Sequence, residues 1–167
     1  TTRSEAAALA SAVAARIGSA TQVEVAVCPP SLYLETVCQA VKGSAVGVGG
    51  QNCYHEAKGA FTGEISPQML VDLGCRYVIL GHSERRQIFK ESNEGVNRKV
   101  HAALAAGLTP IVCIGETLEQ RDGNETLAVL DRQIKEGLDG ATGEQLAAMV
   151  LADEPVASLD PESTRRV

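Results

Sequence analysis

Short, nearly continuous apolar runs alternate along this chain with stretches whose apolar residues recur every three or four positions. Runs at residues 22–28, 44–49, 76–80, 108–114 and 147–152 predict five strands. They show little in/out alternation, as expected of parallel strands covered on both faces. The glycines of the second run weaken its strand pattern. Between the runs lie helical patterns. Thr2 and Glu5 have capping-box spacing, and Ala6, Leu9, Val13 and Ile17 follow as one stripe closed by Gly18. Further helices are predicted over residues 32–41, from Ser66-Pro67 through Leu73, around Val96, Val100 and Leu104 up to Gly107, and around Leu127, Leu130, Ile134 and Leu138. Residues 50–65 form a long polar loop.

Strand and helix therefore alternate throughout, which predicts an α/β fold built from βα steps. The 167 residues fit one domain with one sizeable core. Aromatic residues make up only 3%, so Ala, Val, Leu and Ile must fill that core. The net charge of −6 argues against a broad nucleic-acid footprint. It leaves open a small anionic substrate, which a few local groups can hold. The five cysteines, Cys28, Cys38, Cys53, Cys75 and Cys113, form no CxxC. Four sit in or beside apolar runs, so buried thiols in a reducing cytoplasm are expected. No apolar run is long enough for a membrane span, and no leader pattern appears. No metal-ligand spacing or phosphate-loop motif occurs, and the glycines at 47–50 lack dinucleotide-loop spacing.

The densest chemistry lies in residues 77–86. A buried strand, Tyr77-Val78-Ile79-Leu80, stops at Gly81 and is followed at once by His82, Ser83, Glu84, Arg85 and Arg86. Ligands of α/β folds bind at this end of the strands, and an imidazole there can polarise a bond or move a proton near neutral pH. Other readings stand beside this one. Glu84 is equally a salt-bridge partner for Arg85 or Arg86, and both arginines read as structural pairs. His55 and His101 read as exposed bystanders, and Cys113 as a packed thiol. Gly115-Glu116-Thr117 is a weak phosphate-nest pattern. Glu154, beside Asp153, reads on its own as a surface carboxylate.

Residues 77–86 resemble the active-site histidine segment of the triosephosphate isomerase family. Gly50-Gln51-Asn52-Cys53-Tyr54 and Gly59-Ala60-Phe61-Thr62-Gly63-Glu64-Ile65-Ser66 resemble that family's long third loop. Ile111-Val112-Cys113-Ile114-Gly115-Glu116 resembles its fifth strand and following loop. The resemblance covers about residues 1–152, with the motifs in the family's order. It implies a (β/α)₈ TIM barrel over residues 1–167 that interconverts dihydroxyacetone phosphate and glyceraldehyde 3-phosphate through an enediolate, with no cofactor and no metal.

The resemblance also implies roles. His82 would be the neutral electrophile, favoured in that form by the helix start at Ser83-Glu84, as is known for the family. Glu84 would orient it, and Glu154 would be the catalytic base at the end of the sixth family strand. Cys113 and Ser83 would lie close to the site. Thr62 in the 50–65 loop would reach into a partner's site in a homodimer. A small phosphorylated triose is the implied partner molecule, with neither nucleic acid nor membrane.

The match departs from the family at both ends. The expected opening strand with its substrate Asn and Lys is not in the sequence, nor are strands seven and eight. Residues 157–162 resemble the family's last phosphate-loop-to-helix segment rather than its lid hinge, and Asp153 stands where a Tyr is usual. The expected fold is thus an incomplete barrel with about five strands. The alternative is a catalytically silent partial barrel that associates through open strand edges. A different phosphate-handling barrel enzyme is a third reading, against which the third-loop match argues.

Overall fold

A computed structural model describes residues 2–19 and 22–154 of the chain. The five strands are β1 (Val25–Val27), β2 (Val46–Gly50), β3 (Tyr77–Leu80), β4 (Thr109–Ile114) and β5 (Val150–Asp153), hydrogen-bonded in chain order. The pairs β1/β2, β2/β3 and β4/β5 are parallel. Among the described residues, α1 (Arg3–Ile17) precedes β1, and seven further α-helices lie between the strands: α2 (Leu34–Ala40), α3 (Pro67–Asp72), α4 (Ser83–Ile88), α5 (Asn93–Ala105), α6 (Leu118–Asp122), α7 (Thr126–Gly137) and α8 (Gly143–Ala147). The readings placed on residues 155–167 lie outside the described residues.

The chain divides into two compact units. The first comprises residues 1–79 and 102–110. Its first helix begins as the sequence predicts, with Thr2 and Glu5 closing a reciprocal capping box and Gly18 ending the helix at φ +57°. Strand β1 is shorter than the 22–28 run, because Val23 is exposed and pairing begins only at Val25, opposite Val46. The glycines of β2 are a packing requirement. A Cβ on Gly47 would lie 2.4 Å from the Tyr77 ring, and one on Gly49 would lie 2.9 Å from Tyr77 Cβ. Tyr77 is thereby buried in the core, with its hydroxyl donating to Glu24 at 3.0 Å. The loop predicted over residues 50–65 spans 51–65, because Gly50 ends β2. Tyr54 N–H donates to Ile65 O at 2.8 Å, and the Tyr54 and Phe61 rings stack tilted at 4.7 Å.

Among the described residues, the second unit comprises 80–101 and 111–154. Val96 and Val100 of α5 and Val112 and Cys113 of β4 are buried in it. Two expectations change here. Residues 147–149 are not strand: Ala147 ends α8, whose capping box pairs Thr142 with Gln145, and β5 starts at Val150. Strand β5 is also not covered on both faces, since Val150 and Leu151 are 45% and 46% exposed. The buried line of α7 is Val129, Gln133 and Gly137, while Leu127 and Ile134 of the expected stripe are exposed. The histidines expected to be exposed are half-buried. His55 lies 4.3 Å from the Tyr54 ring, and His101 is hydrogen-bonded to Asp139 O at 2.8 Å.

Candidate active site

Strand β3 ends in a sharp turn at Gly81, whose φ of +72° favours glycine. A Cβ there would sit 2.8 Å from Arg86 Nη2 and 3.2 Å from Cys113 O. The turn delivers His82 to the N-cap of α4, where Nδ1 accepts the Glu84 backbone N–H at 3.3 Å. With Nδ1 as acceptor, the neutral ring carries its proton on Nε2. The Glu84 carboxylate stays exposed, with one oxygen 3.7 Å from Nδ1.

Glu154 directly follows β5. Its backbone N–H donates to Ile114 O at 2.7 Å, extending the β4/β5 ladder by one bond. That register brings its carboxylate to the histidine. Oε1 lies 3.5 Å from His82 Nε2, and Oε2 accepts from the Ser83 backbone N–H at 3.5 Å. Both contacts are long for hydrogen bonds, so the carboxylate is held loosely. His82 and Glu154 side chains are each 26% exposed. The structure thus brings together four of the residues singled out in sequence, His82, Ser83, Glu84 and Glu154. Ser83 Oγ is buried and has no hydrogen-bond partner.

Around this pair the polar groups are structural. Arg86 Nε donates to Gly81 O at 2.7 Å, Nη1 to Asn93 Oδ1 at 2.6 Å and Nη2 to Cys113 O at 3.2 Å. Burial lowers its pKa, and Glu91 and Cys113 act in the opposite direction. Arg85 pairs with the buried Glu91 at 3.3 Å, and Lys99 binds the same carboxylate. Glu84 is therefore not the partner of either arginine in this structure. Cys113 is a packed thiol, 2% exposed.

The phosphate-nest pattern at residues 115–117 does not survive. Gln133 takes both backbone groups of Gly115, accepting from its N–H at 2.8 Å and donating to its carbonyl at 2.9 Å. Glu116 is buried and accepts from Arg121 Nε at 2.6 Å, and Thr117 caps α6. Sequence reasoning missed the Gln133 clamp. Its signal was available, because Gln133 sits four residues from both Val129 and Gly137 on one helix face. Thr62 lies on the exposed part of the 51–65 loop in the first unit.

Among the described residues, no group of three or more His, Cys, Asp and Glu side chains could hold a metal ion. No helix among them is long and apolar enough to cross a membrane.

An imidazole just after β3 meets a carboxylate just after β5, at the C-terminal strand ends where barrel-type α/β folds place their ligand sites. The profile of the family described as triosephosphate isomerase matches residues 1–163, and the chain belongs to that family. It is 49% identical over 158 residues to a triosephosphate isomerase of Rhodopirellula baltica, covering 95% of this chain and 62% of that protein. With the triosephosphate isomerase of Endomicrobium trichonymphae it shares 48% identity over 163 residues, covering 98% of this chain and 65% of the relative. The crystal structure of triosephosphate isomerase from Bartonella henselae superposes with a TM-score of 0.84 at 42% identity, covering 91% of this chain and 62% of that one. The chain therefore spans just under two thirds of the length of these relatives.

Proposed function

We propose that the protein interconverts dihydroxyacetone phosphate and glyceraldehyde 3-phosphate, with His82 as electrophile and Glu154 as base. The observation that carries this reading is the 3.5 Å approach of His82 Nε2 to Glu154 Oε1. Glu154 removes a proton from the carbon next to the substrate carbonyl. The neutral Nε2–H of His82 donates to the oxygen that gains negative charge as the enediolate forms. Glu154 then returns the proton to the neighbouring carbon, so no redox cofactor is needed. The loose hold on the Glu154 carboxylate supports this, since a base must leave its resting contacts to reach carbon. Glu84 supports the role of His82 through its backbone N–H, which leaves Nδ1 without a proton to donate.

The finer points belong to the same reading. We take residues 1–167 as part of one barrel domain, supported by the single strand order β1 to β5. The ordered 51–65 loop with exposed Thr62 supports a homodimer in which this loop packs against a second copy. The buried thiols of Cys53, Cys75 and Cys113 suit a reducing cytoplasm.

The test is steady-state isomerisation of triose phosphate by the purified protein, its His82→Gln variant and its Glu154→Gln variant. The reading requires activity in the parent and a large loss of kcat in both variants. The exposed Val150 and Leu151 favour one second reading, a catalytically silent member of the family that associates through β5. Inactivity of the parent together with concentration-dependent association would support that instead.

A further inference from the structure

The guanidinium of Arg86 occupies an unusual junction. Its donors reach three separate segments: the Gly81 carbonyl, the Cys113 carbonyl and the Asn93 side chain. Each of these leads to the site. Gly81 is the residue before His82. Cys113 is the residue before Ile114, whose carbonyl accepts the Glu154 backbone N–H at 2.7 Å. Asn93 begins α5 and also donates to Glu136 of α7 at 2.8 Å. The planar fork of one side chain therefore ties the strand end that carries the imidazole to the strand end that aligns the carboxylate.

Lysine could not copy this arrangement, because one ammonium cannot present donors in the fixed fork that meets three acceptors. The packing around the fork is tight, since a Cβ on Gly81 would come within 2.8 Å of Nη2. Losing the fork removes a charged donor from each of the two carbonyls, a stronger bond than a neutral donor supplies.

We infer that Arg86 is a positioning residue, whose guanidinium sets the separation of His82 and Glu154 by holding the Gly81 and Cys113 carbonyls together. Its catalytic consequence rests on the isomerase reading above; its geometric consequence does not. A shift of about 1 Å between reacting groups is enough to lower a rate by about 100-fold.

The experiment compares the full protein with Arg86→Lys and Arg86→Ala, and adds free guanidinium ion to the alanine variant. The readouts are kcat and KM for triose phosphate and the ¹⁵N signals of the His82 ring. We expect kcat to fall by about 100-fold in both variants, with KM changed far less. Guanidinium should restore part of the Arg86→Ala loss and none of the Arg86→Lys loss. The His82 Nε2 signal should shift in both variants as the ring's separation from Glu154 Oε1 changes. Folded variants with unchanged kcat and unchanged His82 signals would overturn the inference. A variant in which KM rises and kcat holds would overturn it too. If both variants fail to fold, Asn93→Ala decides, because it removes only the outer anchor of the fork: a lower kcat with shifted His82 signals supports the inference, and wild-type values overturn it. If the parent protein does not isomerise triose phosphate, the isomerase reading fails, and the His82 signals alone decide on Arg86.

Discussion

Glu154 Oε1 stands 3.5 Å from Nε2 of His82, and its other oxygen meets the N–H of Ser83, a residue 71 positions earlier in the chain. The contact depends on the β4/β5 register, in which Asp153 pairs with Ile114 and places Glu154 just beyond the ladder. Replacing either side chain with Gln keeps its approximate size and removes its proton chemistry. His82→Gln and Glu154→Gln should each lower kcat by about 100- to 10,000-fold, with KM altered much less. Steady-state kinetics checks this, and equal losses in KM with kcat preserved would mean that these groups bind rather than react.

Gly81 should tolerate no side chain. Its φ of +72° and the close approach of Arg86 and Cys113 act together against Gly81→Ala. The variant should lose about 1–3 kcal/mol of stability, read as a lower denaturation midpoint. Gly143, where a Cβ would meet nothing within 4 Å, is the control position.

Acid should weaken the loop after β4. A hydrogen bond to its own backbone, and then the Arg121 guanidinium, hold the buried Glu116 carboxyl below its ordinary value of 4.5. A depressed folded-state value means that Glu116 stabilises the fold above the unfolded-state value and that this contribution disappears as pH falls through the folded one. Glu116→Gln should therefore be less stable than the parent at neutral pH, and the two should converge in strong acid. Denaturation midpoints measured across that range give the answer.

The thiols should differ in reactivity from an ordinary cysteine. Burial, reinforced by neighbouring Cys38 and Cys28, pushes the Cys75 thiol up to about 12. At about pH 8 it holds almost no thiolate, so alkylation should be far slower than for free cysteine. Mass-resolved iodoacetamide labelling of the folded protein checks this; rapid labelling of Cys75 would show that the thiol is not buried as described.

Much of this was written in the sequence in recognisable form. Strands β2 and β3, buried along nearly their whole length, follow short apolar runs, because the interior of a parallel sheet selects apolar residues on both faces. Helix α1 follows its Thr2–Glu5 capping box. The errors have physical reasons. The run at 147–152 looked like strand because alanine suits a helix as well as a buried strand. The Thr142–Gln145 capping box, which makes Ala147 helical, was the overlooked signal. Leu127 and Ile134 looked like core because they keep helical spacing, yet Gln133 is buried for its two bonds to Gly115. At the site, His82, Ser83 and Glu84 were legible because they are contiguous. That Arg86 binds two strand-end carbonyls could not be read from spacing, since those carbonyls belong to Gly81 and the distant Cys113.

In the proposed reaction Glu154 transfers a proton between adjacent carbons of a triose phosphate while His82 polarises the oxygen. The most direct measurement incubates the purified protein with dihydroxyacetone phosphate in deuterium oxide and follows the carbon-bound deuterium of substrate and product by NMR. The expected product is glyceraldehyde 3-phosphate labelled at C2, formed far faster than in buffer and strongly slowed in the Glu154→Gln variant. Labelling no faster than in buffer, or equally fast with Glu154→Gln, would contradict it.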